Sequence, residues 1–156
     1  MKKLTIIALI IVTFISCNQK EVDTKSEGEK LMQTSREWSQ VAASRNADSI
    51  LSYWTDDAIV ISAGEADLKG KNGIRQMVEG SFKNPVFKIS WEPKSAEISK
   101  SGDLGYLLET TKMTMTDSLG KASVQNFNVV TIWKKQADGS WKCAVDVMSP
   151  ETGAQK

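Results

Sequence analysis

The chain has 156 residues, a length for one domain rather than two. Twenty Lys and Arg against 19 Asp and Glu leave a net charge of +1, without the clustered basic excess that phosphate binding needs, so nucleic acid is not an expected partner. Forty per cent of the residues are hydrophobic and none is histidine, which rules out a disordered composition, histidine catalysis, histidine metal ligation and an imidazole pH switch.

Residues 1–16 read as a bacterial signal peptide. Lys2 and Lys3 precede a mostly apolar run from Leu4 to Ile15. As a helix that run spans about 18 Å, too short for a hydrocarbon core of about 30 Å. Phe14-Ile15-Ser16-Cys17 resembles a lipobox, which implies cleavage before Cys17 and a diacylglycerol on its sulfur. An ordinary secretory signal with a chance cysteine is the alternative. The expected location is the bacterial cell envelope, with the domain outside the cytoplasm and the lipid as its membrane contact. With Cys17 acylated, Cys143 has no partner for a disulfide, and it is expected to be a buried, inert thiol.

Residues 17–27 form a polar, aperiodic tether. Ser26 and Glu29 have the spacing of a capping box, and Leu31, Ser35, Trp38, Val41 and Ala42 form the apolar stripe of a helix running to about Arg45. Asp48 can cap a short second helix carrying Ile50, Leu51 and Trp54, followed by a short strand at 58–61. Between Gly64 and Gly70 a polar loop is expected. A third helix, about 72–83, places Ile74, Met77, Val78 and Phe82 on one side and stops at Asn84-Pro85. Beyond it the chain reads as strand: 87–98 with a break or bulge at Pro93, 104–116, 122–135 and 141–148, separated by tight turns. Three helices followed by four long strands give an α+β domain, here bounded at 28–150 with a tail at 151–156.

Trp54-Thr55-Asp56-Asp57-Ala58, Gly70-Lys71-Asn72-Gly73-Ile74, Ile89-Ser90-Trp91-Glu92-Pro93 and Ser101-Gly102-Asp103-Leu104-Gly105-Tyr106 follow one another in this order. With the closing hairpin Thr131–Lys135 and Asp138–Lys142, they resemble the nuclear transport factor 2-like superfamily, in its SnoaL-like, ketosteroid-isomerase-like branch. The resemblance implies a cone of three helices on a curved antiparallel sheet, with one pocket at its open end. It also implies homodimerisation through the outer sheet face. It does not fix a reaction, because such folds host many functions.

The isomerase machinery is incomplete. By the resemblance, the position of the oxyanion tyrosine holds Trp38 and that of the base holds Ser62, while the second oxyanion donor falls at about Asn126 to Asn128. An indole N–H donates but is no acid. What remains is a pocket for a small, largely apolar molecule, with Trp38, Trp54, Trp91, Tyr106, Asn126, Asn128 and Asp146 as candidate ligand contacts. Asn126 and Asn128 share a face and belong either to a pocket wall or to solvent. Asp146 and, more weakly, Glu109 are the candidate acid–base groups of an alternative isomerase, cyclase or lyase, since a carboxyl in an apolar site has a raised pKa. Strict alternation puts Asp146 on the face opposite Trp141 and Cys143. Asp56 and Asp57 are expected to serve the local backbone, and Trp133 and Trp141 to pack the hairpin. No metal site and no cofactor are expected.

Overall fold

The structure is a computed structural model that describes residues 21–116 and 119–151, so the expected signal peptide and Cys17 lie outside the described residues. Helix α1 (Thr24–Ala43) is capped by Asp23, whose carboxylate accepts from Ser26 N at 3.0 Å. It thus starts inside the stretch read as tether, and Asp23 rather than the Ser26–Glu29 box sets its beginning. Helix α2 (Ala47–Leu51) is capped by Asn46, not Asp48, and ends before Trp54. Trp54 opens strand β1 (Trp54–Ser62), which is longer than the expected strand. The loop after it contains the two-residue strand β2 (Leu68–Lys69), and α3 spans Gly70–Lys83. Strands β3 (Lys88–Ile98), β4 (Leu104–Thr116), β5 (Ala122–Lys135) and β6 (Trp141–Pro150) complete the domain.

The α+β expectation is met. One six-stranded sheet has the order β2-β1-β6-β5-β4-β3. β1 runs parallel to β6 and every other pair is antiparallel. The sheet is curved and unclosed. Irregularities fall between Pro93 and Ser95 in β3, between Trp54 and Ile59 in β1, and on β6, where Ile132 pairs with Val145 but Trp133 with Cys143. Such bulges bend a strand and increase its local twist.

Helix α1 lies along β3 and α3 along β1, so both cover the concave face. The stripe Leu31, Ser35, Trp38 and Ala42 is buried as its spacing requires. Leu107 and Trp133 meet it from β4 and β5. Burial of each large apolar side chain contributes roughly 1.5–3 kcal/mol. Gly105 permits the close approach of helix and sheet: a Cβ there would stand 2.6 Å from Ile98 Cδ1 and 3.0 Å from Leu31 Cδ2. Arg45, in the left-handed region at φ 58°, donates to the carbonyls of Phe82, Asn84 and Phe87 and holds the end of α3 against the turn after α1.

Candidate functional site

Between the concave sheet face and the helices lies a cavity of about 710 Å³. Trp38, Trp54 and Trp91 line it, as expected, and so do Glu109 and Asp146. Ser62, at the position the resemblance assigns to the base, lines it too. Trp38 is the hub of the aromatic wall. It meets Trp54, Trp91 and Trp133 edge to face, with centroids 4.7, 5.0 and 5.5 Å away, and stacks on Tyr53 at 5.8 Å. Trp133 therefore reaches the centre of the core rather than only packing its hairpin. Four of the six methionines, Met77, Met113, Met115 and Met148, complete the apolar lining, and their unbranched side chains adapt to irregular shapes.

Three expected contacts lie elsewhere. Tyr106, Asn126 and Asn128 are exposed on the convex face of the sheet. The alternation on β5 was legible, but Phe127, Val129, Thr131 and Trp133 take the concave side, which turns both asparagines to solvent. Tyr106 follows the same rule on β4, where Leu107 and Glu109 point inward.

The opposite correction applies on β6. Strict alternation separates Asp146 from Cys143, yet Cys143 is fully buried and Asp146 lines the cavity on the same concave side. Ala144 is the extra residue between the two paired positions, and it inverts the alternation beyond it. Asp146 is thereby set opposite Thr131 of β5.

The two acids have different neighbours. Glu109, 4% exposed, accepts from Ser35 Oγ and, at 2.7 Å, from Thr131 Oγ1. These hydroxyls are themselves held. Trp91 Nε1 donates to Ser35 Oγ at 3.0 Å, and Trp133 Nε1 donates to Thr131 Oγ1 at 2.8 Å. Burial raises the pKa of Glu109, while the two hydroxyl donors pull it back. Asp146 has no such donors: its inner oxygen Oδ1 is sealed from solvent and has no hydrogen-bond partner. Burial first, and then the nearby Glu109, push Asp146 up to about 7. Asp146 is thus poised near neutrality. Asp146 combines a carboxyl near neutrality with a place in the cavity wall.

Ser35 and Thr131 were not singled out from the sequence. Their signal is a polar residue at a core position, Ser35 between Leu31 and Trp38 on α1 and Thr131 between Val129 and Trp133 on β5. The Cys143 thiol is fully buried, as expected. Burial, Asp146 and Glu109 raise its pKa well above the usual thiol value, and Sγ donates to the Val145 carbonyl at 3.3 Å. Asp56 and Asp57 are exposed and reach different lysines, Lys71 at 2.9 Å and Lys134 at 3.7 Å.

The SnoaL-like domain pattern matches residues 31–152, and the chain belongs to that family. Among solved structures it is similar to a ketosteroid isomerase-like protein from Erwinia carotovora atroseptica, with 19% identity and a TM-score of 0.66 over 80% of this chain and 96% of that one. A nuclear transport factor 2-like protein with a cystatin-like fold from Novosphingobium aromaticivorans has 14% identity and a TM-score of 0.62, over 81% of this chain and 83% of that one. SalBIII, an epoxide hydrolase/cyclase-like enzyme with a role in pyran ring formation in the polyether salinomycin, has 15% identity and a TM-score of 0.58, over 81% and 95%. At these identities the likeness shows a shared fold. No curated protein matches the chain.

Proposed function

We propose that this SnoaL-like domain is the ligand-binding part of a lipid-anchored protein of the bacterial cell envelope, and that its cavity holds a small, largely apolar molecule. The observation that carries this is a cavity of about 710 Å³ walled by tryptophan and methionine, with Glu109 and Asp146 as acidic residues in its wall. Ligand sites of this size are mostly apolar, with a few convergent polar groups. The lipid anchor rests on the residues around Cys17. Native mass spectrometry of the chain purified from its own membranes tests both parts. The expected spectrum shows a retained small mass and a covalent diacylglycerol on Cys17, and Cys17→Ser sends the protein to the soluble fraction. Cys17 without a lipid would remove the anchor from this reading.

A second reading is favoured by Asp146 alone. A carboxyl at about 7 in the wall of an apolar cavity suits proton transfer of the isomerase, cyclase or lyase kind. SalBIII shows that the fold accommodates cyclase-like chemistry. Turnover would then rise with pH through the Asp146 value and vanish in Asp146→Asn.

The convex face supports homodimerisation. Tyr106, Ile132, Val145 and Ile59 form one apolar row across β4, β5, β6 and β1, and Leu108, Val130, Val147 and Ile61 form the next. Leu108 is 46% exposed. Light scattering is expected to give twice the chain mass, and Leu108→Lys to give a monomer.

A further inference from the structure

The charge in the cavity is one-sided. Among the described residues no Lys or Arg lines it, whereas Glu65, Glu109 and Asp146 do. Arg45, which contacts the lining residues Phe82, Asn84 and Phe87, is engaged with their three backbone carbonyls and with the face of Phe82, at 5.3 Å from its ring centre. Elsewhere in the domain a buried acid is matched: Glu27 meets Lys135 at 2.6 Å and Lys30 at 2.8 Å. Glu109 has only the hydroxyls of Ser35 and Thr131, and Asp146 Oδ1 has nothing.

An unpaired buried carboxylate is costly, and the cost falls when a cation with an N–H donor arrives. We infer that the cavity takes a protonated organic amine, a mostly apolar cation whose ammonium group pairs with the Asp146 carboxylate in the cavity wall and whose charge offsets the Glu109–Asp146 pair. The inference rests on the small-molecule reading above and gives it a substrate class. Tryptophan walls favour such a guest, because aromatic faces attract cations in a desolvated site. Trp38 and Trp54, 3% and 5% exposed, each keep an unpartnered indole N–H. Both N–H groups are sealed from solvent and set no further requirement on the ligand, whose apolar body meets the tryptophan rings. The methionines leave the shape of that body loosely specified.

Two probes of one shape decide the matter. The full chain is titrated by calorimetry at pH 8 with 1-adamantylmethylamine and with 1-adamantylmethanol, which share the hydrocarbon cage and differ in the charged head. The amine is expected to bind at least about tenfold more tightly than the alcohol, and that preference is expected to fall to about twofold or less in Asp146→Asn. Equal or tighter binding of the alcohol to the unmodified chain overturns the cation inference and leaves the small-molecule reading standing. An amine preference that survives intact in a folded Asp146→Asn protein overturns it as well. If neither probe binds, the cavity reading falls together with the inference. The comparison on the unmodified chain needs no variant to fold.

Discussion

Where α1 begins, Glu27 is buried between two lysines. Lys135, and then Lys30, hold its carboxyl below the usual range. In the cavity Glu109 and Asp146 have only neutral donors or none, and both are raised. The difference separates two uses of a buried acid. At Glu27 the charge is neutralised within the chain, and the pair ties α1 to the hairpin of β5 and β6. In the cavity no neutralising partner stands among the described residues, so the acids sit in tension with their surroundings. A group left in that condition commonly marks a functional site.

Removing the tension in the cavity is expected to have the largest effect. A folded-state pKa above the unfolded one means that the folded protein prefers protonated Asp146. Its contribution is full below the unfolded value of about 3.9 and is lost as pH rises through about 7. Asp146→Asn is therefore expected to be more stable than the unmodified chain at pH 8, by up to about 4 kcal/mol, and nearly equal to it at pH 4. Urea unfolding at the two pH values checks this. An unchanged pH profile would mean that Asp146 is solvated in a way the sealed Oδ1 does not allow.

Breaking the matched site works in the opposite sense. Glu27, with its lowered pKa, stabilises the fold above the unfolded carboxyl range and loses that contribution as pH falls through the lowered value. Lys135→Met is expected to cost about 1 kcal/mol at pH 7 and almost nothing at pH 2, since the pair is only partly shielded from solvent. Thermal unfolding across that range measures it. The smallest effect is expected from Lys30→Met. Lys30 meets the same carboxylate from an exposed position one helical turn on, so its loss should shift the unfolding midpoint less than Lys135→Met does. Reversal of that order would place the anchor on α1 itself rather than between the helix and the hairpin.

The strands and the helical stripe were legible because each carries one clear period. β4 and β5 run over 104–116 and 122–135 as the sequence indicates, and the proline in β3 marks its own irregularity. Glu109 could be placed with Leu107 and Thr111 by alternation alone. Asn126 and Asn128 stayed open between two faces, and Tyr106 was set on the wrong one, for a different reason. Alternation says which residues share a face, but two amides beside valine look alike on a wet wall and on a cavity wall. The inversion at Ala144 left no mark, since neither glycine nor proline accompanies it. Trp54 was read as helical because it continues the spacing of Ile50 and Leu51. It instead pairs with Cys143 at the start of β1, where a parallel partner far along the chain outweighs local periodicity.

The extra residue in β6 works as a clutch between two settings of one strand. Ahead of Ala144 and behind it the sequence alternates in the ordinary way, and only this residue decides that Asp146 and Met148 turn toward the helices while Val145 and Val147 turn away. Excising Ala144 would exchange the two sets in a single step, lining the chamber with valine and putting the carboxylate on the outer wall. One codon gained or lost at this point would therefore exchange a polar wall for a dry one, or the reverse, without substituting any other residue of the strand.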